Sequence, residues 1–314
     1  MRIVFMGTPE YAAVSLQALI SNGYEVVGVF TQPDRPKGRG KQMAVSPVKA
    51  LALDYQIPVF QPVKIRADGV EALKSLNPDL CVTAAFGQIL SEEILAVPRL
   101  GTVNVHASLL PAYRGSSPAN WVIINGEKIT GVTTMMTDKG IDTGDILLQR
   151  EAVIQDEETA GDLTLRLAKE GADLLIETLE KIKDGTCERR PQAEAESSYY
   201  PLLKKEDGRI DWSKSAEEIA NLARGLSPWP GAFSDSPWGV LKILSARAAN
   251  REEKGMPGDI VVGDEKNGLF VQTGNGLLEI LTLQAPGGKA MNSKDFLRGH
   301  PLKENKTMKN EVIA

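Results

Sequence analysis

Three polar residues in the middle of the chain have the types and spacing that proton-transfer chemistry requires. Asn104 and His106 lie two residues apart within Thr102–His106, where β-branched and polar residues alternate as they do in a short strand. Because side chains two apart on a strand share a face, the amide and the imidazole should lie side by side. Asp142, in the turn-rich Gly140–Asp145, adds a carboxylate. Together these groups predict a site that moves a proton and stabilises an oxyanion.

Each of these residues also has a simpler interpretation. A histidine at a strand end often makes only a structural hydrogen bond, and an aspartate beside a glycine often caps a turn. Asp142 and Asp145 compete for the role of the carboxylate; we favour Asp142, at the centre of the turn, and expect Asp145 to fix the turn itself. The sequence lacks the GxSxG and HExxH patterns of serine hydrolases and zinc proteases. Cys81 and Cys187 are isolated, which argues against a metal site and against a disulfide.

Residues Ser108–Pro111 form an apolar stretch in a region that otherwise has the composition of a loop. One interpretation is a loop that packs onto a second domain. The other is a wall for a flat, partly apolar ligand, with backbone groups left free to hydrogen-bond to it.

A basic loop follows the second predicted strand, at the same edge of the sheet as the candidate site. Such charge runs are usually solvated surface loops. A loop at this position could instead close over a substrate that carries phosphates. The net charge of −5 disfavours a nucleic-acid partner unless a local patch of this kind supplies the attraction. The basic residues of the loop are Arg35, Lys37, Arg39 and Lys41.

The pattern of elements predicts two domains in a chain of 314 residues. Predicted strands and helices alternate over 1–184, which is typical of a Rossmann-like α/β domain: a mostly parallel sheet with helices on both faces. The polar, aperiodic segment 185–207 is predicted to be a linker. Short strands separated by glycine-rich turns within 208–314 predict a small β-barrel of the OB type.

Composition bounds the class of protein. Hydrophobic residues make up 42% of the chain, and no run approaches the ~20 apolar residues of a membrane helix. The N-terminus lacks the pattern of a signal peptide. We therefore expect a cytoplasmic protein without a structural metal or a membrane partner. His300, the only other histidine, is expected to be solvated and without a partner.

Several stretches resemble the folate-dependent formyltransferase family, and together they span both predicted domains. HASLLP and DTGD are shared across that family, whereas the basic loop and the IDW…PWPGA region resemble its members that act on tRNA. The matching stretches are FMGTPEYAA (5–13), QPDRPKGRGK (32–41), NVHASLLPAYRGSSP (104–118), GEKITGVTTMMTDKGIDTGDIL (126–147) and RIDWSKSAEEIANLARGLSPWPGA (209–232).

The resemblance implies roles for the residues already singled out. Asn104, His106 and Asp142 fall on the family's catalytic triad. Arg39 falls on the arginine of a mobile insertion loop that contacts the tRNA acceptor end, so Arg35, Lys37 and Lys41 are expected to bind tRNA with it. The C-terminal barrel is similar to the family's tRNA-binding domain. The positions that fall on the folate-binding segment are Ser108, Leu109, Leu110 and Pro111.

The implied reaction is transfer of a formyl group from 10-formyltetrahydrofolate to the α-amine of methionine carried by initiator tRNA. The implied enzyme needs no metal and is expected to be a monomer. Two alternatives stay open at this stage. One is formyl transfer to a small amine such as a glycinamide ribonucleotide or an amino sugar, which leaves the basic loop unused. The other is a non-catalytic RNA-binding protein, which makes the Asn, His and Asp pattern coincidental.

Overall fold

The structure is a computed structural model in which the chain divides into two compact units. The first unit comprises residues 1–118, 129–153 and 164–200, and the second comprises 119–128, 154–163 and 201–314. None of the helices it describes is both long and apolar enough to cross a membrane. The residues that the structure describes are 1–37, 42–251, 254–302 and 306–308.

Among the described residues, eleven strands and six α-helices precede the second unit's main segment, and α5 and α6 have residues in both units. The strands are β1 (Arg2–Gly7), β2 (Glu25–Phe30), β3 (Arg35–Lys37), β4 (Gln42–Ala44), β5 (Val59–Phe60), β6 (Leu80–Ala84), β7 (Thr102–His106), β8 (Arg114–Gly115), β9 (Ile129–Met136), β10 (Ile146–Val153) and β11 (Tyr199–Tyr200). The helices are α1 (Glu10–Ser21), α2 (Pro47–Asp54), α3 (Val70–Ser75), α4 (Glu92–Leu95), α5 (Pro118–Ile124) and α6 (Ala160–Lys183).

The first unit is built on a seven-stranded sheet with the order β10-β9-β7-β6-β1-β2-β5. The five strands from β5 to β7 are parallel, while β9 runs antiparallel to β7 and β10 antiparallel to β9. Every side chain of Ile3–Met6 is fully buried, so both faces of β1 are covered, as the continuous apolar run predicts. On the face that α6 covers, a Cβ added at Gly171 would lie 2.8 Å from Val105 of β7. The predicted mostly parallel α/β architecture is confirmed.

Helix boundaries in this unit follow local signals in the sequence. The hydroxyl of Ser46 accepts a hydrogen bond from Lys49 N at 3.1 Å and Pro47 occupies the first turn, so α2 begins where a capping residue and a proline predict. The β3–β4 hairpin was not predicted, because its basic, proline-containing sequence shows no apolar alternation. In that hairpin Arg35 pairs with Ala44.

The second unit is an antiparallel β structure. Its sheet has the order β12-β13-β16-β15-β14, with β17 paired to β16. The pairings among the described residues leave β12 and β14 at the two ends of this order, so closure into an OB-type barrel stays a prediction. The elements are α7 (Ala216–Gly225), β12 (Ala232–Ser236), β13 (Gly239–Ala249), β14 (Ile260–Asp264), β15 (Gly268–Gln272), β16 (Leu277–Gln284), β17 (Ala290–Asn292) and α8 (Ser293–Gly299).

Trp212 is the largest fully buried side chain of the second unit. Its indole N–H donates to Ser234 Oγ at 2.9 Å, which satisfies the one polar group that burial would otherwise strand. The expectation that His300 has no partner was wrong. Its ring, at the end of α8, stacks on Phe296 with the ring centroids 4.3 Å apart.

A capping box at the start of α7 offers a test of the local physics. Glu218 N donates to Ser215 Oγ at 3.2 Å, and Ser215 N donates to Glu218 Oε2 at 2.8 Å. We expect Ser215→Ala to lower the free energy of unfolding by about 1 kcal/mol in denaturant titrations. Each of the two side chains bonds to the backbone of the other residue. Glu218→Ala should therefore lower the free energy of unfolding less in the Ser215→Ala variant than in the unaltered protein. Strictly additive effects would contradict the reciprocal cap.

The same box has a defined pH dependence. The hydrogen bond from the backbone N–H of Ser215 holds the pKa of the Glu218 carboxyl below its usual range. The Glu218 carboxylate therefore contributes fully to the free energy of unfolding above its unfolded-state pKa of about 4.3. This contribution is lost as the pH falls from there through the lower pKa of the folded state.

Candidate active site

Strand β7 places Asn104 and His106 on one face of the sheet, and the neighbouring strand β6 orients the amide. The hydroxyl of Thr83 donates to Asn104 Oδ1 at 2.8 Å. The amide oxygen is thereby occupied, and the NH₂ group points to Asp142, with Asn104 Nδ2 3.5 Å from Asp142 Oδ1. The two-residue spacing thus has the predicted result, and the amide presents its donor rather than its acceptor to the site.

The imidazole of His106 is held by a backbone carbonyl. Its Nε2 lies 2.9 Å from the carbonyl oxygen of Tyr113, and the side chain is only 7% exposed. A carbonyl can only accept, so Nε2 carries a proton. The other ring nitrogen, Nδ1, then faces Asp142 Oδ2 at 3.7 Å. The tautomer and the ring plane are therefore set by Tyr113, and Nδ1 is the position from which a proton can be exchanged toward the carboxylate.

Asp142 comes from the loop between β9 and β10 and adopts φ = +54°, in the left-handed region. Its Oδ2 accepts a hydrogen bond from Gly115 N at 2.9 Å. The carboxylate thus lies beside two donor groups, the Gly115 N–H and the Asn104 NH₂ group, and faces Nδ1 of His106. An amine that enters this cluster meets a carboxylate and an imidazole, and a developing oxyanion meets the Asn104 NH₂ group.

The turn that carries Asp142 is organised by a residue other than the one expected. Asp138 accepts hydrogen bonds from Gly140 N at 2.9 Å and from Thr143 Oγ1 at 2.7 Å. We expected Asp145 to fix this turn. The side chain that does so is that of Asp138, and Asp145 contributes its backbone oxygen, which accepts from Met136 N at 2.8 Å.

Sequence reasoning missed the groups that orient the site. The Tyr113 carbonyl and the Gly115 N–H are backbone atoms, so residue types carry no direct signal for them. The glycine at position 115 is itself a signal in the sequence, because glycine is the residue that tolerates positive φ and close backbone contact. In the structure Gly115 has φ = +99°, and an added Cβ would lie 2.4 Å from the carbonyl oxygen of Tyr200. Thr83 is the one hydroxyl-bearing residue of β6, but threonine is common in strands, so its type did not indicate this role.

The segment Ser108–Pro111 is only partly available to a ligand. Ser108 is fully buried and Leu110 is 3% exposed, in a cluster with Met135 and Ile146. The expectation of free backbone groups was wrong for the carbonyls of all four residues, each of which accepts a hydrogen bond within the protein. The hydroxyl of Thr133 donates to Ser108 O at 2.7 Å, Leu110 N donates back to Thr133 Oγ1 at 3.1 Å, and Leu110 O accepts from Gln149 Nε2 at 2.8 Å. Surface for an apolar ligand is left on Leu109 and Pro111, which are half-buried.

The basic loop is described only at its base. Arg35 is exposed at the start of β3. Arg39 and Lys41 lie outside the described residues, and so does the side chain of Lys37. The base is tied down by a polar network in which Lys49 Nζ donates to Gln61 Oε1 at 2.8 Å and Gln61 Nε2 donates to Asp34 Oδ1 at 2.9 Å. A hydrogen bond from Lys49 holds the pKa of the Asp34 carboxyl below its usual range.

Cys81 offers no nucleophile to this site. Cys81 is fully buried in β6, and burial raises the pKa of its thiol to about 12. Within the described ranges, no three His, Cys, Asp or Glu side chains are grouped so that they could hold a metal ion.

Comparison with known proteins gives a consistent result over both units. The formyl transferase profile matches residues 1–179, and the profile of the formyl transferase C-terminal domain matches 202–301. The methionyl-tRNA formyltransferase of Ruminiclostridium cellulolyticum is 50% identical over 306 residues, which is 96% of this chain and 97% of that protein. The methionyl-tRNA formyltransferase of Citrifermentans bemidjiense is also 50% identical, over 96% of this chain and 94% of that protein.

Two solved structures share the fold at lower identity. An N-formyltransferase from Helicobacter canadensis, in complex with folinic acid and dTDP-3-aminofucose, gives a TM-score of 0.68 at 21% identity over 88% of this chain and 98% of that one. HypX from Aquifex aeolicus, in complex with tetrahydrofolic acid, gives 0.64 at 18% identity over 98% of this chain and 50% of that one. From the matched profiles and the relatives at 50% identity, the chain belongs to the formyl transferase family, among the methionyl-tRNA formyltransferases.

Proposed function

We infer that this chain transfers the formyl group of 10-formyltetrahydrofolate to the α-amine of methionine esterified to initiator tRNA. The product is N-formylmethionyl-tRNA, the aminoacyl-tRNA that starts translation. One observation supports this above all others: Asn104, His106 and Asp142 converge in a chain that is 50% identical to methionyl-tRNA formyltransferases along nearly its whole length.

Asn104 is proposed to stabilise the oxyanion of the reaction. The amine attacks the formyl carbon, a carbon–nitrogen bond forms, and the carbonyl electron pair moves onto oxygen. Because Thr83 fixes the amide oxygen, the Asn104 NH₂ group is ready to donate to that charge. A single donor of this kind contributes on the order of 3 kcal/mol to transition-state stabilisation.

His106 and Asp142 are proposed to handle the proton. The attacking amine becomes positively charged and must lose a proton, while N10 of the folate must gain one as its bond to the formyl carbon breaks. Nε2 of His106 is held by Tyr113, so Nδ1, beside Asp142, is the nitrogen that takes and returns the proton. The Asp142 carboxylate favours the charged imidazolium and the charged amine by Coulomb attraction. Proton transfer of this type contributes about 10²- to 10⁴-fold in rate.

We propose that two residues of the segment Ser108–Pro111 contact the folate donor and that the other two hold the loop in place. Leu109 and Pro111 would present apolar surface to the flat ring system, whereas the buried Ser108 and Leu110 hold the loop in shape. This assignment replaces the expectation that the segment leaves backbone groups free to hydrogen-bond to the ligand.

Binding of the tRNA is assigned to the basic loop and to the C-terminal region. Arg35, Lys37, Arg39 and Lys41 would contact phosphates near the acceptor end.

We propose a catalytic domain at 1–184, a connecting segment at 185–207 and a tRNA-binding domain of OB type at 208–314. A monomer in the cytoplasm suits an enzyme that holds one large tRNA at the start of translation. Formyl transfer to a small amine is less favoured, because the N-formyltransferase bound to dTDP-3-aminofucose shares 21% identity with this chain, against 50% for the methionyl-tRNA formyltransferases.

The acceptor is tested by direct competition. With saturating 10-formyltetrahydrofolate, we expect kcat/KM for methionyl initiator tRNA to exceed that for free methionine by at least about 10³-fold, since only the tRNA offers phosphates to the basic residues. Formylation is followed by acid-stable transfer of label from the donor. Comparable efficiency on free methionine, on an amino sugar nucleotide or on glycinamide ribonucleotide would refute the acceptor assignment.

The proton-transfer role is tested at the two histidines of the chain. His106→Ala should lower kcat by at least about 10²-fold, because the proton exchange at Nδ1 is lost. His300→Ala, which removes an exposed ring stacked on Phe296, should leave kcat at saturating tRNA within about twofold. Activity of His106→Ala within tenfold of the unaltered enzyme would exclude the mechanism.

The basic loop is tested through its salt dependence. We expect the double variant Arg35→Ala/Arg39→Ala to make the slope of log(kcat/KM) against log[salt] shallower by about 1.5 to 2, one counterion per lost phosphate contact. Lys74→Ala removes an exposed cation that already pairs with Glu71 and Glu93, so its slope should be unchanged. Equal slopes for all three proteins would show that the loop does not touch phosphate.

A further inference from the structure

The segment after α6 lies against the two loops that form the candidate site. Arg114 N donates to Ser198 O at 2.8 Å, Ser116 N donates to Tyr200 O at 3.0 Å, and β11 pairs with β8. The ring of Tyr200 also stacks on that of Tyr113, with centroids 4.7 Å apart. These residues were predicted to be part of a linker, yet they contact the loop whose carbonyl holds His106.

One side chain in this segment contacts both catalytic loops at once. Gln192 Nε2 donates to Asp142 O at 2.8 Å and to Gly144 O at 2.7 Å. Its Oε1 accepts from Arg114 Nε at 3.0 Å. The orientation of the amide is unambiguous, because a flipped amide would set its oxygen against two carbonyls and its NH₂ group against a guanidinium.

The partner of that amide oxygen is itself fixed. Arg114 is 6% exposed, and its Nη1 lies 2.8 Å from Glu194 Oε2. The Arg114 guanidinium holds the pKa of the Glu194 carboxyl below its usual range. Since a buried guanidinium needs its acceptors, Gln192 is anchored on one side by Arg114 and offers both N–H groups to the loop of Asp142.

The loop of Asp142 needs such an external contact. Asp142 is a non-glycine residue at φ = +54°, a left-handed conformation that persists where surrounding contacts determine the backbone. Its carbonyl and that of Gly144 are held by the same amide, and this fixes the peptide planes that aim the carboxylate at Gly115 N and His106.

We propose that Gln192 is a positioning residue for catalysis, which acts through the backbone of Asp142 and ties the Asp142 loop to the loop that orients His106. The proposal rests on the proposed role of Asp142. It assigns to the segment between α6 and the second unit a part in the reaction and not only in connecting the two units.

The experiment measures kcat and KM for Gln192→Glu, which keeps the shape and can still accept from Arg114 but sets a carboxylate oxygen against the two carbonyls. We expect kcat to fall about 10- to 100-fold while KM for both substrates changes by less than about threefold. Glu196→Gln alters an exposed carboxylate of the same segment, so its kcat should stay within about twofold.

A double-variant cycle separates positioning from a general loss of structure. If Gln192 acts through Asp142, adding Gln192→Glu to Asp142→Asn should lower kcat by less than about threefold further. Multiplicative effects, or a single Gln192→Glu variant within threefold of the unaltered enzyme, would overturn the proposal. If Gln192→Glu does not fold, as judged by thermal unfolding, Gln192→Met is carried through the same cycle and decides the question. An Asp142→Asn enzyme with unchanged kcat would instead refute the catalytic assignment of Asp142.

Discussion

The candidate site depends on one hydrogen bond, from Gly115 N to Asp142 Oδ2 at 2.9 Å. It joins two loops that leave the sheet separately: one follows β7 and the other connects β9 to β10. Both loops pass through the left-handed region, at Tyr113 (φ = +60°) and at Asp142 (φ = +54°). Such residues persist only where surrounding contacts determine the backbone. The hydrogen bond between Gly115 N and Asp142 Oδ2 forms because both loops adopt these conformations. In turn, it holds Asp142 where its carboxylate faces His106.

A strand positions Asn104 and His106, whereas a loop positions Asp142. The pleat of β7 places Asn104 and His106 on one face with no additional constraint, and the register of β6 sets Thr83 beside Asn104. Asp142 has no such frame. Because β9 is antiparallel to β7, the loop after β9 begins beside the start of β7, where Thr137 N donates to Thr102 O at 2.7 Å. The loop must then approach Asn104 and His106 from outside the sheet, held by side chains such as Asp138.

This division explains which features the sequence could predict. Strand β7 and the face shared by Asn104 and His106 follow from spacing and residue type, and both are present. Local patterns also predicted the parallel strands, since buried parallel strands are continuous apolar runs. The β3–β4 hairpin has no apolar period, and α5 and α8 are short helices without a long amphipathic repeat, so periodicity did not reveal them. The carbonyl that orients His106 depends on a loop conformation that residue types do not encode.

The segment predicted as a linker shows why composition was ambiguous there. Polar, aperiodic sequence is typical of a solvated connection, because such residues gain nothing from burial. Gln192, Glu194 and Ser198 are polar for another reason: each bonds to a group of the Arg114 loop, and Gln192 also bonds to the Asp142 loop. Loops in left-handed conformations expose backbone donors and acceptors that no sheet satisfies, and a polar strand laid against them satisfies those groups. A polar segment after a catalytic domain can therefore be a solvated linker or can hold the loops of the active site. The two differ only in what their side chains contact.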